Sequence, residues 1–186
     1  MKIGVIGGGQ LGRMLALAGT PLGQQFVFID PAPDACAQAL GEHIHADYSD
    51  KDHLRQLAEE VDVVTFEFES VPAETVAFLS QFVPVYPNAE SLRIARDRWF
   101  EKSMFQDLGI PTPEFADIQS QSDLDAAATS IGLPAVMKTR TLGYDGKGQK
   151  VLRQTEDVTG AFAELGSVPC ILEGFVPFTG EVSLIA

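Results

Sequence analysis

The chain has 186 residues and is 45% hydrophobic, with a mean hydropathy of +0.07, which is enough to bury one large core or two small ones and excludes a disordered polymer. Thirteen Lys and Arg against 26 Asp and Glu leave a formal charge of −13, so nucleic acid and anionic membrane surfaces are disfavoured as partners. Cys36 and Cys170 stand far apart and form neither a CxxC pair nor a disulfide framework; they read as reduced, small core residues.

Residues 3–6 are an apolar run that reads as a buried strand, and Gly7-Gly8-Gly9 turns it into a helix carrying Leu11, Met14, Leu15 and Ala18 at helical spacing. Because Met1 leads straight into this strand and no apolar run approaches the roughly 20 residues of a membrane span, a cytoplasmic protein is expected. A second strand over 26–29 ends at Asp30. Further strands are predicted over 43–46 and 61–68, and helices over 52–59 and 73–82. This alternation predicts a parallel, doubly wound sheet with crossover helices. Residues 88–108 carry two successive helical patterns and end in Gly109-Ile110-Pro111-Thr112-Pro113, a stiff connector that places a domain seam within 90–113. The second unit reads as helix 122–131, strand 135–138, a glycine-rich loop, strand 150–153, helix 156–165, and strands 170–175 and 181–185. The chain ends within an apolar strand pattern, which predicts a fragment of something longer.

Lys138 followed by Gly143, Tyr144, Asp145, Gly146, Lys147, Gly148 and Gln149 couples a cation to a loop with three glycines in six residues. Backbone N–H groups in such a loop can approach an anion closely. The spacing differs from a Walker loop, G-x-x-x-x-G-K-[ST], and the flanking apolar runs place it between two strands. Taken alone it is either a phosphate lid or an ordinary hairpin loop.

Gly7 to Gly12 also satisfies G-x-G-x-x-G after a first strand, with an acid, Asp30, closing the second. That is the spacing of a dinucleotide fingerprint, although Arg13 suits a phosphomonoester better, and the same glycines serve any phosphorylated ligand at a helix N-terminus. Glu67 and Glu69 fall at the carboxyl end of a strand whose alternation puts both on one side. A carboxylate is costly on a sheet covered on both faces, whereas the carboxyl edge is where ligands bind, so a contact to a ligand amine or hydroxyl is favoured over a merely solvated strand end. His43, His45 and Asp47 alternate along one strand, but no further ligand accompanies them, and a polar strand face is the expectation. Arg98 stands either over a triphosphate or in a surface ion pair. Glu173 and Glu181 bracket a turn and stand either against adenine and ribose or in solvent.

In order and over the whole chain, these segments resemble the ATP-grasp ligases. The resemblance rests on Gly8-Gly9-Gln10-Leu11-Gly12-Arg13-Met14, Phe66-Glu67-Phe68-Glu69, Asp97-Arg98 with Lys102, Leu108-Gly109-Ile110-Pro111-Thr112-Pro113, Lys138 with residues 143–149, and Gly180-Glu181-Val182-Ser183-Leu184. It is nearest to the 5-(carboxyamino)imidazole ribonucleotide synthase family of purine biosynthesis. This resemblance implies an α/β fold: a Rossmann-like pre-ATP-grasp parallel sheet over 1–99, then the first part of an α+β ATP-grasp domain over 100–186.

It further implies that Arg98, Lys138, Gly143, Tyr144, Asp145, Gly146, Lys147, Gly148, Gln149, Glu173, Gly174, Phe175, Val176 and Glu181 hold ATP. Gln10, Leu11, Glu67, Tyr144 and Asp145 would line the ribonucleotide side, and Lys138, Tyr144 and Asp145 would be the catalytic set. The implied reaction joins bicarbonate to aminoimidazole ribonucleotide through carboxyphosphate, in a homodimer of full-length chains using Mg2+. No metal ligand is assigned within these 186 residues, and the chain alone is expected not to turn over. Two alternatives remain open here: the formate-dependent glycinamide ribonucleotide transformylases of the same fold, whose opening loop carries Glu and Lys where this chain has Gln10 and Arg13, and an NAD-binding domain.

Overall fold

Strand β1 (Lys2–Ile6) lies between β2 (Gln25–Asp30) and β4 (Val63–Phe66), with β3 (Glu42–His45) beyond β2. All pairings are parallel. The register sets Ile6 beside Ile29 and Phe66, so Gly7, Asp30 and Glu67 gather at one carboxyl edge of the sheet. The computed structural model describes residues 1–143 and 147–184. These fall into two compact units, Met1–Arg96 and Asp97–Ala186.

In the first unit, helices α1 (Gln10–Gly19), α2 (Lys51–Glu60), α3 (Ala73–Leu79) and α4 (Ala89–Ala95) connect and flank the strands. Val27, Ile29, Leu54, Leu57, Val64 and Leu79 are fully or almost fully buried in the main core, and Val5, Ala16 and Phe28 in a smaller one under α1. Burying one such aliphatic side chain contributes about 1.5–3 kcal/mol. Local signals set the helix starts. Asp50 accepts the amides of Asp52 and His53 at 3.1 and 3.2 Å to begin α2, and Asn88 accepts that of Ser91 at 2.8 Å to begin α4. Helix α1 reverses its expected face: Leu11, Met14, Leu15 and Ala18 are all exposed, and only Gly12 and Ala16 are buried. The helix lies so close to the sheet edge that only the smallest residues fit beneath it.

The second unit is an antiparallel sheet in the order β5-β8-β6-β7, formed by β5 (Phe115–Ile118), β6 (Ala135–Thr139), β7 (Gln149–Leu152) and β8 (Cys170–Gly174). Helix α5 (Arg98–Asp107) precedes it. Helix α6 (Gln121–Ile131) covers one face and buries Leu124 and Ala127 against Met137, Leu152 and Leu172.

Other elements also depart from expectation. Strand β4 stops at Phe66, two residues short, because Glu67 turns out of the sheet to bond the glycine loop. Strand β5 escaped the sequence pattern, since Phe115 and Ile118 flank the polar Asp117 and do not alternate. The helix predicted over 156–165 is two short helices, α7 (Thr155–Val158) and α8 (Ala161–Glu164), separated by Gly160 at φ +77°, a left-handed backbone no helix accommodates. Residues 181–184 are exposed and carry no strand. There Val182 and Leu184 lack the sheet partner their alternation calls for.

Candidate functional site

In the first unit the glycine loop is built by two carboxylates. Asp30 accepts the Gly8 amide at 2.7 Å and the Tyr48 hydroxyl at 2.9 Å on Oδ2, and the Ala32 amide at 2.8 Å on Oδ1. All three partners lie within the chain, and Asp30 is buried. The acid that a dinucleotide fold offers to ribose is here committed to shaping the loop. Burial, followed by the hydrogen bond to Asp30, pushes the Tyr48 hydroxyl well above its ordinary pKa and keeps it a donor.

Glu67 does for α1 what no local residue can. The helix begins after Gly9, which has no side chain to cap it, and Glu67, 58 residues further on, accepts the Gly9 amide on Oε1 at 2.8 Å and the Gly12 amide on Oε2. A carboxylate at a helix N-terminus satisfies orphan amides and faces the positive end of the dipole. The approach is close. A Cβ on Gly7, whose φ is +106°, would lie 2.5 Å from Glu67 Cγ, and one on Gly12 would lie 2.7 Å from the Gly7 carbonyl. Each carboxylate oxygen keeps a further lone pair. Glu67 also lines, with exposed Glu69, a cavity of about 320 Å3 beside Pro87 and Ser91. Gln10 and Leu11 are exposed on the first turn of α1, and Arg13 is exposed one turn on.

In the second unit Lys138 and Glu173 lie on neighbouring strands β6 and β8, and their side chains meet at 3.0 Å. Lys102 of α5 reaches the same oxygen, Glu173 Oε2, at 3.2 Å. Glu173 is 5% exposed, and its Oε1 has no hydrogen-bond partner among the described residues. Arg98 points into the start of the glycine-rich loop, donating to the Thr139 carbonyl at 2.9 Å and to the Gly143 carbonyl at 3.2 Å. The far side of the loop closes through the Thr139 amide on the Gly148 carbonyl at 2.8 Å. Gln149 opens β7, with Lys147 and Gly148 in the turn before it.

Gly174 ends β8, its amide on the Glu114 carbonyl at 2.9 Å, and the Phe175 amide reaches the Pro134 carbonyl at 3.1 Å. Phe175 and Val176 are 37% and 47% exposed. Glu181 lies in the exposed stretch after them. Tyr144, Asp145 and Gly146 lie outside the described residues.

Three contributors were not foreseen from sequence. Lys102 carries part of the resemblance beside Asp97-Arg98, but no role is assigned to it from sequence. Tyr48 carries no motif at all. Arg140 follows Lys138 by two residues, a spacing that hints at a shared strand face, and it clasps Asp97 through Nε at 3.0 Å and Nη2 at 2.7 Å, with Asp117 at 3.1 Å. Asp97, first of all, and then Asp117 hold the guanidinium above even its ordinary pKa. Asp97 also caps α5 through the Trp99 amide at 2.9 Å, so one buried carboxylate fixes both Arg98 and the strand end beside Lys138. Cys170 is buried, and that burial pushes its thiol up to about 11. Cys36 is half-buried with its sulfur 3.6 Å from the Gly8 carbonyl.

Residues 1–96, the whole of the first unit, match the family model of the ribonucleotide synthetase preATP-grasp domain. The chain belongs to that family. Residues 103–186 match the ATP-grasp domain. Over all 186 residues the chain is 88% identical to the N5-carboxyaminoimidazole ribonucleotide synthase of Pseudomonas aeruginosa, covering 52% of that protein. Among solved structures it is similar to N5-carboxyaminoimidazole ribonucleotide synthetase from Thermus thermophilus, with a TM-score of 0.86, 47% identity, and coverage of 95% of this chain and 48% of that one. It is also similar to the Aspergillus clavatus synthase in complex with ADP and 5-aminoimidazole ribonucleotide, with a TM-score of 0.84, 26% identity, and coverage of 96% and 47%. The chain therefore spans about half the length of the relatives it matches.

Proposed function

We propose that the protein containing this chain carboxylates 5-aminoimidazole ribonucleotide with ATP and bicarbonate, giving N5-carboxyaminoimidazole ribonucleotide. The observation that carries this reading is 88% identity, without a break in coverage, to a synthase of that name. In the second unit, Lys138 supplies positive charge for phosphate. Arg98 stands at the lid's entrance, the loop of residues 143–149 folds over the phosphates, Glu173 to Val176 hold the base, and Glu181 holds the ribose. In the first unit, Gln10, Leu11 and Glu67 hold the ribonucleotide, the carboxylate of Glu67 accepting from its amine.

A bicarbonate oxygen attacks the γ-phosphorus and ADP leaves. The amine then captures the carboxyl of the carboxyphosphate so formed, or the carbon dioxide it releases, and phosphate leaves with the proton the amine gives up. The chain's residues contribute by positioning and neutralising charge, and the lid protects carboxyphosphate by excluding water. Tyr144 and Asp145 belong to the proposed catalytic set. Mg2+ is part of the same reading, as a cofactor of the full-length protein whose ligands lie outside this chain; among the described residues there is no cluster of three or more His, Cys, Asp or Glu able to hold a metal ion. A cytoplasmic homodimer that binds neither nucleic acid nor membrane is part of the same reading. The charge of −13 disfavours nucleic acid and anionic membrane surfaces as partners, and among the described residues no helix is long and apolar enough to cross a membrane.

The test is a substrate comparison on the full-length protein. ADP release is expected with aminoimidazole ribonucleotide plus bicarbonate. Release only with glycinamide ribonucleotide plus formate would transfer the protein to the transformylases, and release with neither would overturn the reading.

A further inference from the structure

Two ammonium groups share one carboxylate oxygen in the second unit, and the carboxylate's other oxygen is left bare. Lys102 and Lys138 both end on Glu173 Oε2, while Oε1 is buried with no hydrogen-bond partner among the described residues. A buried polar atom without a partner is uncommon in a folded protein and is completed by a bound donor, a water or a ligand group. As a carboxylate, Glu173 can only accept, so the completing group is a donor, and in a nucleotide site an exocyclic amine is the ligand group that can take a water's place there.

The two lysines are not equivalent. Lys138 extends from a strand beside the glycine loop and its side chain is 26% exposed, whereas Lys102 comes from a helix and is 17% exposed. If Lys138 were the sole partner, its departure toward a phosphate would leave a bare charge in a site 6% exposed to solvent, which is strongly unfavourable. With Lys102 in place, the carboxylate stays paired and its orientation is kept.

We propose that Lys102 is a positioning residue for nucleotide binding. It holds Glu173 by Oε2, keeps Oε1 aimed as an acceptor, and frees Lys138 to transfer from carboxylate to triphosphate. The proposal rests on the ATP-dependent reading above, because it takes the amine to be that of adenine and the anion to be the triphosphate. It also predicts base discrimination: guanine carries a carbonyl where adenine carries its amine, and a carbonyl facing Oε1 is repelled.

The experiment measures equilibrium binding of ATP and GTP, and the KM and kcat for ATP, in the full-length protein carrying Lys102→Met, Lys102→Arg or no change. Loss of one charge-assisted hydrogen bond to a positioned group predicts that Lys102→Met raises the KM for ATP about tenfold, changes kcat less, and narrows the preference for ATP over GTP. Lys102→Arg recovers most of both. Lys102→Gln, which keeps a donor but not the charge, makes the same comparison if the Met variant does not fold. Equal weakening of ATP and GTP, or unchanged binding of both, overturns the proposal. Failure of the unsubstituted protein to bind ATP overturns the underlying reading and the proposal with it, a result distinguishable from a wild type that binds ATP and variants that match it.

Discussion

Asp30 shows how a single side chain can be assigned the wrong partner by spacing alone. Its position at the end of the second strand is that of a ribose-binding acid, yet its oxygens are taken by Gly8, Ala32 and Tyr48. Replacing Asp30 with Ala leaves the buried Gly8 amide and Tyr48 hydroxyl without an acceptor and is expected to cost about 3 kcal/mol in urea unfolding; a loss below about 1 kcal/mol would mean that the loop is held by something else. Tyr48 adds a pH signature. Its hydroxyl keeps its proton in the fold beyond the ordinary value of 10.0, so above that pH the unfolded chain releases a proton the folded chain retains. The Tyr48 contribution to stability is accordingly complete below about pH 10 and falls as pH rises past it, and Tyr48→Phe flattens that part of the curve. The Tyr48 partner of Asp30 was not legible beforehand, because its hydroxyl reaches Asp30 only through the parallel packing of β2 and β3.

At the scale of elements, the informative case is α1. Its sequence spacing located the helix correctly but pointed to the wrong face, since Leu11, Met14 and Leu15 are 55%, 61% and 43% exposed. The face is set instead by Gly12 and Ala16, which allow the first turn to lie against the strand ends, and by Glu67, which caps that turn from another strand. Gly12→Ala brings a Cβ to 2.7 Å from the Gly7 carbonyl. Backbone cannot yield as a side-chain tip can, so a loss of about 1–3 kcal/mol is expected in thermal or urea unfolding. An unchanged midpoint would show that α1 stands further from the loop. Capping residues, by contrast, are local in sequence, and Asp50, Asn88, Asp97 and Ser120 each precede their helices by one residue. Strand β5 and the interruption at Gly160 were missed for opposite reasons. The first has too little alternation to notice, and the second depends on one backbone angle inside a convincing helical stretch.

The whole molecule consists of two units with separate cores, divided between Arg96 and Asp97. Leu124, fully buried in the second core, should cost about 2–5 kcal/mol when cut to Ala, and the loss should appear in a second-unit transition while the first unit's melts where it did before. A single transition shifted as a whole would show that the two cores unfold together. By itself the sequence determined the alternation of strands and helices in the first unit, the glycine-rich segments, and the order of motifs that marks the family, because backbone periodicity, capping and glycine placement are written locally. The tertiary structure decided which groups those motifs meet: Asp30 and Glu67 on the glycine loop, Arg140 on Asp97, and Lys102 beside Lys138 on Glu173. Each of these pairs joins residues far apart in the chain, and a carboxylate's partner is fixed by which strand or helix end folds within about 3 Å of it, a distance that no spacing along the chain encodes.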